Sequence, residues 1–143
     1  MKGYQAIIVG RGLAALTAAV RLTELGITDI LLTGPGHGGT PSIAAINFVL
    51  PENSHNDTPM DYAEDMIEAG YGIGDRELVW DMACRSADAY ALLTRMGVRF
   101  ARDGDGKLIF RRLSGHRRAR SLCQTDGLIG EQMVHILEEQ LAQ

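Results

Sequence analysis

The sequence is poor in cysteine: Cys84 and Cys123 are the only two in 143 residues. They stand far apart and form no CxxC pair, which argues against a disulfide scaffold and fits a reducing, cytoplasmic setting. Long apolar runs are also lacking. None approaches the roughly 20 residues that cross a bilayer, so no membrane span is expected. The apolar stretch after Gln5 is broken at Gly10–Arg11–Gly12, which does not suit a signal peptide. Basic charge is not in excess. Fourteen Lys and Arg against 18 Asp and Glu leave a net charge of −4, so nothing draws the whole chain toward nucleic acid or anionic membranes. Six cationic side chains do fall close together (Arg111, Arg112, His116, Arg117, Arg118 and Arg120); no aromatics interleave with them, so a nucleic-acid strip is not expected. The two readings are an attractor for an anionic substrate or cofactor phosphate and a solvated loop that pairs with the acidic helix. Metal-ligand spacing is missing too. "DGDGKL" from Asp103 puts Lys107 and Leu108 where a calcium loop needs a ligand and a glycine. Asp61, Glu64, Asp65 and Glu68 share a helical face that reads as solvated. "GPGHGGT" from Gly34 has P-loop spacing with Thr40 in place of the required lysine.

What is present is an ordinary globular composition, 45% hydrophobic, in a length suited to one domain. Gln5–Val9 is a short apolar run ended by glycine and reads as a buried strand. Leu13–Leu25 consists of helix formers and stops at Gly26. Asp29–Thr33 reads as a second buried strand. Strand, helix and strand within about 30 residues make a βαβ unit with parallel strands. Further on, a short strand is expected within 44–50, followed by a polar loop over 51–57. Thr58 reads as the cap of a helix ending near Gly70, and Asp75 as the cap of a longer one through Met96, closed by Gly97. "ARDGDG" reads as a hairpin turn, and a last helix is expected from near Gly130 with Met133, Ile136 and Leu137 buried. Met82, Tyr90 and Leu93 are expected in the core, and Trp80 in packing.

The first turn carries chemistry. "GRGLAA" matches GxGxxA between a strand and a helix, the context such a motif requires. Gly10 allows the sharp turn, Gly12 lets a diphosphate approach the main chain, and Ala15 lets helix and strand pack closely. The helix start then offers free N–H groups and partial positive charge to an anion. The competing reading is that these small residues only pack. An acid at the end of the second strand normally holds the adenosine ribose; here Thr33 takes that place.

The rest of the chain resembles the flavoprotein family of succinate dehydrogenase, fumarate reductase and L-aspartate oxidase. The segments are "GGTPSIAAIN" from Gly38, "DYAEDMIEAGYGIGDRELV", "LLTRMGVRFARDGDGKL" and "SGHRRARSLCQTDGLIGEQMVHIL", in that order. The resemblance implies an α/β fold: a partial Rossmann-type FAD-binding domain, 1–143, cut before the substrate-capping domain. It implies FAD as cofactor. Gly10, Arg11, Gly12, Leu13, Ala14 and Ala15 would then face the diphosphate, and Thr33 and Gly34 the ribose. Gly38, Gly39, Thr40, Ala44 and Ala45 would face the phosphates and flavin ring. Ala44–Ala45 stands where the family has Gly-Gly, and Ser114–Gly115 where it has a second Gly-Gly. Gly115 and His116 fall on the substrate side. His37 lies one residue from the place where some members bond flavin covalently.

The resemblance implies hydride chemistry on a small dicarboxylate or amino acid, yet no catalytic constellation is found. The acid–base residues of such enzymes belong to the capping domain, so this chain alone is expected to be inactive. The missing remainder of the flavoprotein, or an electron-transfer subunit, would be its partner. Two alternatives stay open: an NAD(P)-binding Rossmann module, and a degenerate, non-catalytic interaction protein.

Overall fold

A computed structural model describes residues 3–52 and 56–142; positions 53–55 of the expected polar loop lie outside the described residues. The chain forms two compact units, Met1–Ala44 with Gly127–Gln143, and Ala45–Asp126.

In the first unit, β1 (Ala6–Val9), α1 (Leu13–Glu24) and β2 (Ile30–Thr33) make the expected βαβ unit. The strands are parallel, with Ala6 opposite Ile30 and Val9 opposite Thr33. Gly26, at φ +83°, stops α1 as the sequence suggests, its amide bonded to the Thr23 carbonyl at 2.9 Å. The last helix, α5 (Ile129–Ala142), packs on α1. Leu16, Ala19 and Val20 of α1 and Met133, Val134 and Leu137 of α5 are buried. Each fully buried Leu or Met contributes about 1.5–3 kcal/mol. Directly paired residues of adjacent strands point to the same side. Ile30 and Leu32 line a cleft with Ala19 and Thr23, so Ala6 and Ile8 face the helices as well. Ile7 and Val9 face the other way and are 63% and 84% exposed.

In the second unit, the strand expected within 44–50 shortens to β3 (Ile46–Asn47), which pairs antiparallel with β4 (Ser121–Leu122). Helix α2 (Pro59–Ala69) opens on a Thr58–Asp61 capping box and ends at Gly70, as read from the sequence. The long helix expected from Asp75 to Met96 is two: α3 (Arg76–Cys84) and α4 (Ser86–Arg95). The break at Arg85 has neither glycine nor proline. Instead the Ser86 hydroxyl donates to the Ala83 carbonyl (2.8 Å) and accepts from the Val49 amide (3.1 Å). Such a side chain competes with the helical ladder. The hairpin closes at an Arg102–Leu108 bridge, with the Asp103 carboxylate accepting from the Asp105 and Lys107 amides. Phe48, Tyr90 and Phe100 form an aromatic cluster with ring centroids 5.2–5.6 Å apart. Met82 and Trp80 are not core: they are 52% and 44% exposed, on a short helix that buries only Ala83.

Candidate functional site

The corner after β1 is built from backbone. Gly10 takes φ +128°, a conformation open to glycine, and its amide donates to the Thr33 carbonyl at 2.6 Å. That bond joins the two strand ends. Gly34, at φ +141°, lies against Gly10 so closely that a Cβ would sit 3.0 Å from the Gly10 Cα and amide nitrogen. A Cβ on Gly12 would meet the His37 carbonyl at 3.6 Å and the Gly38 Cα at 3.9 Å. The two glycine-rich loops named from the sequence therefore lie main chain to main chain. A Cβ on Gly10 would touch the Ala15 Cβ at 3.7 Å, so a small residue at 15 stands where helix and strand meet.

Helix α1 starts at Leu13 with Gly12 as its cap. No side chain caps it, and its first turn holds no acid. The amides at the start of the helix thus keep their partial positive charge for an outside acceptor. Bare amides at an uncapped helix start, framed by two glycine loops, fit a diphosphate. Thr33 is exposed at the end of β2, within reach of the same corner through the Gly10 bond. Thr40 begins a short 3-10 turn over Thr40–Ser42, and Ile43 donates back to Thr40 at 3.0 Å. Gly39 and Ala44 are exposed beside that turn. Ala45 belongs to the second unit.

Two features of this corner went unread in the sequence. Gly130 of α5 fits under the 3-10 turn: its amide donates to Ile43 O (3.2 Å), and a Cβ there would fall 1.7 Å from Thr40 O. Glu138 of α5 brings one carboxylate oxygen to 3.6 Å from Arg11 and 3.3 Å from His37 Nδ1. No local pattern announces either contact, because both join segments about 90 or more residues apart.

In the second unit, Gly115 is exposed and His116 is held fast. Both line a cleft of about 560 Å³ with Arg112 and Ser114. His116 Nδ1 lies 3.2 Å from Arg120 Nη1 and its Nε2 3.1 Å from the Asn47 amide. A guanidinium only donates, so Nδ1 is the unprotonated nitrogen. Burial, and then the Arg120 charge, push the imidazole pKa below its ordinary value.

Arg120 is fully buried and grips two carboxylates. It makes a bidentate pair with Asp57 (2.8 and 2.6 Å) and a 2.5 Å bond to Asp65. Arg117 takes the other Asp65 oxygen at 2.5 Å and reaches Glu64 at 2.8 Å. The helical face read as solvated is therefore only partly so: Asp65 is 1% exposed. Burial alone would raise its carboxyl pKa, but hydrogen bonds from Arg117 and Arg120 outweigh that and hold it below the usual carboxylate range. A cation-rich loop and an acidic helix thus build an internal ion network. Among the described residues no cluster suits a metal ion, and no helix is long and apolar enough to cross a membrane.

A parallel β-α-β corner with open amides and a second glycine loop defines a dinucleotide-binding α/β unit. Residues 5–143 match the family described as "FAD binding domain", and the chain belongs to it. That membership indicates FAD as the cofactor, and the α/β, Rossmann-type architecture expected from the sequence is borne out. The chain is 40% identical over 96 residues to an L-aspartate oxidase of Pyrococcus abyssi, covering 65% of this chain and 20% of that protein. It is 30% identical over 138 residues to the succinate dehydrogenase flavoprotein subunit of Bacillus subtilis, covering 94% and 23%. In fold it is similar to a quinol fumarate reductase of E. coli, with TM-score 0.82 and 21% identity over 97% of this chain and 24% of that one. The chain thus spans about a fifth to a quarter of the length of these relatives.

Proposed function

We propose that this chain is the cofactor-binding portion of a flavin-dependent oxidoreductase acting on a small dicarboxylate or amino acid, of the succinate, fumarate or L-aspartate type. The observation that carries the proposal is the uncapped start of α1, with the main chain of the second glycine loop lying directly against Gly12. Gly10, Arg11, Gly12, Leu13, Ala14 and Ala15 form the diphosphate corner. Thr33 and Gly34 approach the ribose, Thr33 through a neutral hydroxyl. Gly38, Gly39, Thr40, Ala44 and Ala45 lie toward the phosphates and the ring. Bound FAD supplies the hydride-accepting ring; this chain supplies grip and orientation. Gly115 and His116 stand on the substrate side of the complete enzyme, where His116 is a positioning group rather than a proton carrier, because Arg120 occupies its free nitrogen. The chain works in the cytoplasm as an FAD-binding portion, together with the remainder of a flavoprotein or an electron-transfer subunit.

The test is cofactor binding by the whole chain, followed by flavin absorbance and by titration with FAD and ADP. Gly12 has φ −78°, so Gly12→Ala introduces no backbone strain, and its Cβ meets only ordinary contacts. The variant should fold normally yet lose at least about tenfold in affinity, the equivalent of one charge-assisted hydrogen bond. A chain that binds neither ligand, or a Gly12→Ala variant that binds as tightly as the parent, defeats the proposal. Nicotinamide fluorescence gained on titration with NAD(P)H in place of FAD points to the dehydrogenase module instead.

A further inference from the structure

Arg11 sits between the two glycines of the corner, and its side chain reaches the last helix. It lines a small cleft with Leu16, Leu32, Leu141 and Glu138, and its guanidinium lies 3.6 Å from the Glu138 carboxylate. The same oxygen is 3.3 Å from His37 Nδ1, on the second glycine loop. One anion thus occupies the side chains of both loops that frame the corner. All three groups are a third to a half exposed, so the contacts are screened and exchangeable. Arg11 springs from the corner itself and is long enough to swing about its Cα.

We propose that Glu138 is a competing counter-ion: its carboxylate pairs with Arg11, and a diphosphate on the corner takes Arg11 from it. This rests on the diphosphate reading of the corner. Glu138 is then a positioning residue that lowers affinity for the anion while keeping an unliganded corner from presenting a bare cation to other phosphates. The competition has a definite sign. A carboxylate that only braced the fold would weaken binding when removed. A competing one strengthens it.

The experiment titrates the whole chain with ADP and compares Glu138→Gln, Arg11→Gln and the double variant. Glu138→Gln should bind about two- to fivefold more tightly, the range a half-exposed ion pair represents. Arg11→Gln should bind more weakly, and Glu138→Gln should add nothing in that background. Unchanged or weaker binding by Glu138→Gln overturns the inference. So does an equal gain with and without Arg11, which would be a general charge effect. As a measurement on the unmutated chain, the Arg11 Nε–H resonance should shift when ADP is added; an unmoved resonance also overturns it. The two levels separate cleanly. If Gly12→Ala weakens ADP binding but Glu138→Gln does not tighten it, only this inference falls. If Gly12→Ala has no effect, the diphosphate reading falls and this goes with it.

Discussion

Gly130→Ala sets two physical effects against each other. In an exposed helix the change is favourable by about 0.8–1 kcal/mol, since alanine has the higher helix propensity. Here the new Cβ would lie 1.7 Å from Thr40 O, 2.7 Å from Thr40 C and 2.9 Å from Ile43 Cγ1. Real Cβ contacts essentially never fall below 3.0 Å, so α5 and the 3-10 turn must part by more than an ångström. Both obstacles nearest the Cβ are main chain and cannot rotate aside. Separation breaks the Gly130–Ile43 hydrogen bond, worth about 1 kcal/mol, and loosens the fully buried Ile129. Overpacking of this kind costs about 1–3 kcal/mol. The net expectation is a loss of about 1–3 kcal/mol. Urea unfolding followed by far-ultraviolet circular dichroism reads it as a lower midpoint with little change in slope. Gly104→Ala is the control: nothing lies within 4 Å of its Cβ and it should be near neutral. A Gly130→Ala protein as stable as its parent, or more stable, would mean that propensity wins and the tight seat under Thr40 is not real.

Arg120→Met should cost about 3 kcal/mol, because it removes the bidentate partner of buried Asp57 and one of the two guanidinium partners of buried Asp65; a thermal melt within 2 °C of the parent would contradict the ion network. Stability should fall on acidification in two stages. Folded His116 has a pKa below its ordinary 6.5, so the unfolded chain takes up that proton first and stability begins to drop below pH 6.5. Asp65, held below 3.8, adds its loss only as pH falls under that value. Denaturant midpoints from pH 8 to 3 should show both stages, and His116→Gln should remove the first alone. Thr33→Glu should tighten FAD or ADP binding several-fold by restoring a charged acceptor for the ribose hydroxyls; weaker binding, measured by titration calorimetry, would place the ribose elsewhere.

The βαβ unit, the caps at Thr58 and Asp75 and the hairpin at Asp103 were legible because their causes are local. Glycine, proline and short polar side chains announce turns within a few residues of where they act. The corner at Gly10–Ala15 was legible for the same reason. Arg120 was not. Its partners lie 55 and 63 residues away, and a run of arginines on a loop looks the same whether its last member meets water or two aspartates. The helix break at Arg85 was hidden because its cause, Ser86 reaching the Val49 amide, is a tertiary contact. Gly130 and Glu138 were hidden likewise: a glycine and a glutamate in a helix carry no mark of the loops they will touch.

Ile7 and Val9 give the sheet a wet side made of hydrocarbon. Among the described residues the sheet has only these two strands, and hydrocarbon facing water on such a ribbon makes this stretch of chain self-adhesive, most of all in kosmotropic salt. Ile7→Lys, at a position 63% open to solvent, should spare the melting temperature while lowering light scattering in concentrated samples, which makes that residue a handle for purification well away from the glycine corner.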